Sequence, residues 1–415
     1  MSGGRLLQIA VPANSTDILV AVGFAEALSA PEVVWSLVDA GFNVTAFSRR
    51  GRRASLRHSK YVTVHEITAP EADAAASAGE LAALLGSRGS RAPGRHVLLP
   101  LDDASLWLCG RLSSSLGWTL AGASGAGAEL ALDKGKQIQA ARAAGFNVPE
   151  SFLASKTENF ADGASRFPLI LRPSDAISIR DGRLRKGKNW ICSDKAELGK
   201  AMAAWAGAGT LLVQPFLQGT GEGVFGLAVD AGVAAWSAHR RLRMMNPHGS
   251  GSSACVSQPV PAEARLAVER LVRQTGWRGL FMVELLRDQS GKLWFVELNG
   301  RPWGSMALSR RQGFEYPAWA VNQALNSPAP MDIPVAGDRP VVCRNAGREA
   351  MHLLFVLRGS KSKAIRQWPS FWRTLFELLR VRRGDTLYNW RRGDLKVFFS
   401  DFWYTLRDNL SKSHG

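Results

Sequence analysis

The stretch FMVELLRDQSGKLWFVELNGRP, residues 281–302, gathers oxygen donors in a pattern that suits a hard cation. It reads as two antiparallel strands joined at DQSG, a hairpin turn signal. Alternation then puts Glu284 on one face of the first strand and Glu297 with Asn299 on one face of the second, so three oxygen ligands converge. Two carboxylates and an amide without His or Cys suit Mg²⁺, which completes its shell with substrate phosphates. Arg301, two residues further on the same side, would lie beside those phosphates. The competing reading is a hairpin with two solvent-facing glutamates, and the hairpin alone does not decide between them.

Other chemistry-bearing stretches are less specific. HRRLRMMNPHGSGSSACVS sets His239, Arg240, Arg241 and Arg243 before a Gly/Ser loop, where cations could neutralise an acyl phosphate or hold an acidic acceptor; a solvated basic face competes. GTGEGVFG, residues 219–226, is the one Gly-rich match. Strand-like sequence follows it, so there is no helix N-terminus to hold a pyrophosphate and no dinucleotide is expected. Glu222 within it is a candidate for a ribose or substrate contact, against a solvated loop carboxylate. The cysteines Cys109, Cys192, Cys255 and Cys343 are scattered, which excludes a zinc ribbon or disulfide framework and reads as reduced thiols. No G-x-S-x-G elbow occurs.

The elements that must position these residues begin with an α/β pattern. LLQIAVP reads as a strand, AVGFAEALSAPEVVWSLVDAG as a helix and FNVTAFSRR as a strand. YVTVHEI and HVLLPLD add strands around the helix EADAAASAGELAALLG, giving an open parallel sheet over residues 1–128. A second unit spans 129–330. Its first part, 129–205, opens with AELALDKGKQIQAARAAG as one helix closed by Gly145, followed by strands FPLILRPS and NWICS and the helix KAELGKAMAAWAG. Its second part, 206–330, is mostly strand to Gln258, then a helix and the hairpin.

The order of these pieces carries a resemblance. FMVELL…FVELNGRPWGS resembles the metal-binding hairpin of the ATP-grasp superfamily, which includes carbamoyl-phosphate synthetase, biotin carboxylase and D-alanine–D-alanine ligase. LDKGKQIQAARAAGFNVPES is similar to the opening of that family's first subdomain, which implies that Lys134 reaches the nucleotide phosphates. FPLILRPSDAI is similar to the strand whose Lys touches phosphate, although Arg172 stands there, a planar fork instead of a point charge. LLVQPFLQG resembles the hinge that reads adenine with its backbone. That implies Gln214, Pro215, Phe216 and Leu217 at the base, with the Pro215 carbonyl accepting and the Leu217 N–H donating. Arg240 and Arg241 stand where such proteins often show a basic pair.

The resemblance covers about residues 5–330. It implies an α/β protein with two α+β subdomains clasping ATP behind a preceding α/β domain. ATP and Mg²⁺, with Mn²⁺ as a substitute metal, would phosphorylate a carboxylate for attack by an amine. The substrates would be small molecules or lipid-linked or glycan acids and amines. A catalytically inactive nucleotide-binding scaffold or adaptor at a membrane surface is the alternative, motivated by Arg172.

The 415 residues are 46% hydrophobic and carry a net charge of +17, which excludes a largely disordered chain and calls for anionic partners. Residues 351–415 hold thirteen Lys and Arg against five acids, an excess of eight. In WPSFWRTLFELLRVRR, Trp368, Phe371, Trp372 and Phe376 lie among arginines, and DLKVFFSDFWYTLRDNL repeats the theme. Region 341–415 therefore reads as a basic, aromatic, helical tail that either lies on anionic lipid or packs on the body or a second subunit. No nucleic-acid module accompanies the charge, so nucleic acid is not expected. The chain reads as cytoplasmic, with peripheral attachment to the inner membrane face and a homodimer as open alternatives.

Overall fold

The computed structural model describes residues 17–89, 95–154, 167–205, 209–249, 251–327, 331–334, 339–360, 367–380, 382 and 384–411. The first unit comprises β1 (Ile18–Gly23), α1 (Ala30–Asp39), β2 (Asn43–Arg49), β3 (Thr63–Ile67), α2 (Ala74–Gly89), β4 (Arg95–Pro100), α3 (Asp103–Leu116) and β5 (Thr119–Leu120). They form an all-parallel sheet in the order β3-β2-β1-β4-β5. The central strand β1, ILVAVG, is buried throughout, as a parallel strand covered on both faces must be. The expected helix from Ala21 is corrected here. This continuous apolar run has no period to separate strand from helix, and the helix starts only at Ala30, with Pro31 in its first turn. The expected strand at residues 6–12 lies outside the described residues.

The second unit begins with α4 (Ala126–Leu132) and α5 (Lys134–Ala143), not with one continuous helix. Asp133 is extended and its side chain accepts from the Lys136 N–H at 3.1 Å, so it caps a new helix. There follow β6 (Phe152–Ala154), β7 (Leu169–Pro173), a hairpin of β8 (Ser178–Arg180) and β9 (Arg183–Arg185), β10 (Trp190–Cys192), α6 (Lys195–Trp205) and β11 (Leu211–Pro215). The small sheet has the order β10-β7-β11-β6. The β8–β9 hairpin, not foreseen in the sequence, docks on the first unit. There Leu184 is buried in the core, its N–H donates to the Pro70 carbonyl, and Ala74 N–H donates to the Gly182 carbonyl, both at 2.8 Å.

The large sheet starts with β12 (Thr220–Val229), β13 (Gly232–Met244) and β14 (Ser252–Gln258). Then come α7 (Ala262–Thr275), β15 (Gly279–Arg287), β16 (Leu293–Asn299), α8 (Met306–Arg311), α9 (Tyr316–Ala324) and β17 (Val342–Arg344). The chain ends with α10 (Ala346–Arg358), α11 (Phe371–Leu379), β18 (Asp385–Leu387) and α12 (Leu395–Ser411). The strand order is β16-β15-β12-β13-β14-β17-β18. One face packs on α7. The other shares a core with the first unit, in which Phe225, Met282, Trp303 and Tyr316 join Val20, Val22 and Val34.

The C-terminal region is thus built into the body. β17 and β18 complete the large sheet, and Arg243 forks onto Glu349 of α10 at 2.7 and 2.9 Å. α12 straps the first unit: Arg53 pairs with Asp408, Tyr404 meets His58 at 2.8 Å, and just before it Asp394 accepts from Trp35 Nε1 at 3.0 Å. Among the described residues no helix is long and apolar enough to cross a membrane.

Candidate functional site

Register brings Glu297, Glu284, Gly223, His239 and Ser257 into one row across β16, β15, β12, β13 and β14, so their side chains share one face. Arg241, two residues beyond His239, reaches across β12 and donates from Nη2 to Glu284 Oε1 at 2.6 Å. The crossing needs a bare strand beneath it. A Cβ at Gly221 would lie 2.7 Å from Arg241 Cδ, and one at Gly223 would lie 2.6 Å from the Phe225 ring and 3.0 Å from His239 Nε2. The Gly-rich segment is therefore a floor for side chains.

The opposite wall comes from the small sheet. Arg172 of β7 donates from Nη2 to Glu297 Oε2 at 2.5 Å and from Nη1 to the Val296 carbonyl at 3.2 Å. Lys134 is the first residue of α5, and its backbone N–H donates to the Ser174 carbonyl at 2.8 Å. Gln137, one turn on, is buried and clamps β16. Its amide donates to the Leu298 carbonyl at 2.9 Å, and its oxygen accepts from the Leu298 N–H at 2.9 Å. This places Lys134 in the fields of Glu297, Arg172, Asp103 and Lys186. Burial pushes the Lys134 ammonium down, Arg172 and Lys186 add to that, and the two carboxylates oppose it. Its Nζ has no hydrogen-bond or ion-pair partner among the described residues, which leaves a desolvated cation facing the cleft.

Arg301 is held by the first unit. Its Nε donates to Asp103 Oδ1 at 2.7 Å, and Asp103 opens α3 within the capping box formed by Asp102 and Ser105. Burial works to raise the Asp103 carboxyl, but Arg301 overrides it and holds the group below its usual range. His239 is buried, with Nδ1 2.9 Å from Ser305 Oγ and no partner for Nε2 among the described residues. Burial first, and Arg241 second, push its pKa down to about 3, so the ring is neutral at physiological pH.

Two expected site residues stand elsewhere. Glu222 and Arg240 alternate with the row and lie on the α7 face of the sheet. Glu222 is buried there, accepting from Arg287 Nε at 2.6 Å and Gln258 Nε2 at 3.0 Å, so it neither touches the cleft nor sits in solvent; Arg240 is exposed. At the expected hinge, Gln214 donates to Ser151 Oγ at 2.8 Å and the Phe216 N–H is taken by the Pro168 carbonyl at 2.9 Å. The N–H of Leu217 has no partner among the described residues, and Pro215 closes β11.

The donors for a hard cation are Glu284 and Glu297, face to face across β15 and β16, and Asn299, which pairs with Met282 one step along. Asn299 is 6% exposed and its amide has no hydrogen bond among the described residues. Guanidinium groups already occupy one oxygen of each carboxylate, which marks the site as one that holds positive charge. Among the described residues no group of three or more His, Cys, Asp or Glu could hold a metal. The all-oxygen set fits Mg²⁺ completed by phosphate oxygens and, lacking His and Cys, does not fit a zinc or copper site.

Sequence reasoning missed Gln137, Asp103 and Lys186. Lys186 belongs to the RLRKGK run that begins in β9 and, with Arg180, Arg185 and Lys188, borders a cavity of about 380 Å³. That run was the available signal. Nothing local marks Gln137 or Asp103, whose partners lie 161 and 198 residues away.

Neither a protein-family model nor a curated protein matches this chain. Solved structures do. An L-amino acid ligase from Bacillus licheniformis is 16% identical at a TM-score of 0.56, with 74% of each chain covered. The biotin carboxylase domain of a 2-oxoglutarate carboxylase from Hydrogenobacter thermophilus, solved with MgADP, ADP and bicarbonate, is 16% identical at a TM-score of 0.59, covering 79% of this chain and 73% of that one. An N5-carboxyaminoimidazole ribonucleotide synthetase solved with ADP is 14% identical at 0.60, covering 90% and 97%. The fold shared with these proteins is the ATP-grasp fold.

Proposed function

We propose that this chain, built on the ATP-grasp fold, is an ADP-forming ligase that activates a carboxylate with Mg·ATP and couples it to an amine or similar nucleophile. The observation that carries the reading is the facing pair Glu284 and Glu297, with Asn299, at the mouth between the two sheets and opposite Lys134 and Arg172. Mg²⁺, with Mn²⁺ as a substitute, would be held by Glu284, Glu297 and Asn299 and would supply charge neutralisation at the phosphates.

The protein's own part is positioning and compensation of negative charge, which phosphoryl transfer chiefly requires. Lys134, short of solvent and without a counter-ion bond, gains most from a polyphosphate. Arg172 and Arg301 bracket the same space, and Arg241 orients Glu284 by the hydrogen bond from its Nη2. The Pro215 carbonyl and Leu217 N–H would take the adenine edge. A substrate carboxylate oxygen attacks the γ-phosphorus, and ADP leaves. The amine then attacks the acyl carbon, phosphate leaves, and one proton is released. Neutral His239 is too poor a base in its buried state to be assigned that proton.

The finer parts belong to the same proposal: small-molecule, glycan or lipid-linked substrates, a cytoplasmic location and work at an anionic membrane surface. A homodimer belongs to it as a partner state; the alternative is a catalytically silent nucleotide-binding scaffold or adaptor at a membrane surface, which the Arg172–Glu297 bond favours by closing the metal hairpin.

The experiment is incubation with Mg·ATP and a panel of amino and glycan acids with amines, measuring ADP and phosphate. ADP and phosphate formed only when both substrates are present support the ligase. AMP and pyrophosphate contradict it, and tight nucleotide binding without turnover across the panel would favour the scaffold.

A further inference from the structure

We infer that the outer face of α11 is a docking surface for an anionic lipid bilayer. The inference rests on the membrane side of the proposed function and not on the ligase chemistry. Trp372, Phe376 and Leu379 follow one another at spacings of four and three residues, a single helical stripe, and they are 75%, 74% and 72% exposed. Three large apolar side chains in a row facing water are not what a folded surface keeps without use.

The helix is fixed from its inner side. Thr374 is buried, Arg344 Nη2 donates to the Leu378 carbonyl at 2.7 Å, and Trp368 Nε1 donates to the Val356 carbonyl at 3.1 Å. The stripe is therefore presented by a braced helix. Charge chooses the occupant. Arg373, Arg380 and Arg382 are exposed along and just beyond the helix. Its single acid, Glu377, is spent on Arg373 at 3.2 Å and on Arg243 at 3.7 Å. Trp and Phe at the headgroup boundary beside arginines form the chemistry of an interfacial helix on anionic lipid. A second copy is the weaker occupant: at roughly 200 Å² per side chain the stripe offers about 600 Å², short of the roughly 800 Å² per partner of a stable dimer.

This narrows the tail's part. α10 packs beside the large sheet and α12 is strapped to the first unit, so a chain cut near residue 340 would lose β17 and β18 along with any anchor. Surface substitutions are the cleaner probe.

The test is co-sedimentation of the full chain with vesicles of phosphatidylcholine alone or mixed with phosphatidylglycerol. The wild type should pellet with the mixed vesicles at low salt, leave them at high salt, and ignore phosphatidylcholine. Trp372→Ser/Phe376→Ser/Leu379→Ser should weaken binding by about ten-fold or more with an unchanged circular dichroism spectrum. Should that variant aggregate, Arg373→Gln/Arg380→Gln/Arg382→Gln leaves the stripe intact and should weaken binding and flatten its salt dependence. Wild-type protein that stays in the supernatant, a soluble triple variant that pellets like wild type, or unchanged binding of the arginine variant would overturn the inference. So would light scattering that shows a wild-type dimer made monomeric by the stripe variant, since a second copy would then cover the face. Mg·ADP affinity measured on the same samples reports on the nucleotide site separately, so failure at the membrane and failure of the ligase reading are told apart.

Discussion

Arg172 and Glu297 are hydrogen-bonded across the cleft at 2.5 Å, joining the central part of the small sheet to the hairpin that faces it. The guanidinium holds the carboxylate much as a cation would. If Mg²⁺ and phosphate enter as proposed, Arg172 must share Glu297 or turn toward the phosphates, and its fork geometry allows either.

Arg172→Ala should weaken ADP binding about ten- to a hundred-fold, since a hydrogen bond to a charged group contributes about 1.5–3 kcal/mol. Arg172→Lys should recover part of that loss by restoring the charge. Calorimetric titration of ADP checks both, and an alanine variant with wild-type affinity would remove Arg172 from the site.

Gln137→Ala leaves the Leu298 N–H and carbonyl buried without their partner, at a cost of about 1–3 kcal/mol for each group. It also frees α5 from β16, so the melting temperature and Mg·ADP affinity should fall together. A lowered melting temperature with unchanged affinity would mean that the clamp does not position Lys134.

Asp103→Asn removes the counter-charge of Arg301 and loosens the first unit from the hairpin. The guanidinium stays desolvated, so stability should drop by a few kcal/mol, roughly the cost of breaking a buried pair. Arg301→Met/Asp103→Leu, which removes both charges, should recover stability but not ligase turnover. Full turnover in the double variant would exclude Arg301 from the chemistry.

His239 has an ordinary pKa of 6.5 when unfolded and about 3 when folded. Between these values the unfolded chain binds a proton that the folded chain refuses, so stability falls as pH falls through that window, by at most about 1.4 kcal/mol per pH unit. Asp103, held low, acts in the same direction only nearer its own range, which separates the two above pH 5. His239→Gln should lessen the stability lost between pH 7 and pH 5 in urea unfolding followed by tryptophan fluorescence. An equal loss in both proteins would show that His239 is already protonated when folded.

The hairpin was legible because a period of two and a DQSG turn fix the face of Glu284, Glu297 and Asn299 without reference to the rest of the chain. The expectation for Lys134 came only from resemblance. The helix break that places it depends on the Asp133 cap, and helical periodicity runs straight through that residue. Glu222 and Arg240 were misplaced for a related reason: Glu222 was weighed as a loop residue and Arg240 as one of a basic pair, although strand alternation turns both away from Glu284. The Arg172–Glu297 and Arg301–Asp103 bonds could not be read, because each joins units whose approach is set by tertiary packing. Composition alone left the role of the basic tail open. Its aromatics include Tyr388, which is buried, as well as the stripe on α11, and only the fold separates them.

The most direct measurement is titration of ADP into wild type, Glu284→Gln and Glu297→Gln with and without Mg²⁺. The account predicts that Mg²⁺ tightens ADP binding to the wild type and that the effect is lost in both variants, while metal-free ADP still binds. Mg²⁺ tightening that survives in Glu297→Gln would contradict the assignment of this hairpin as the metal site, and with it the proposed reaction.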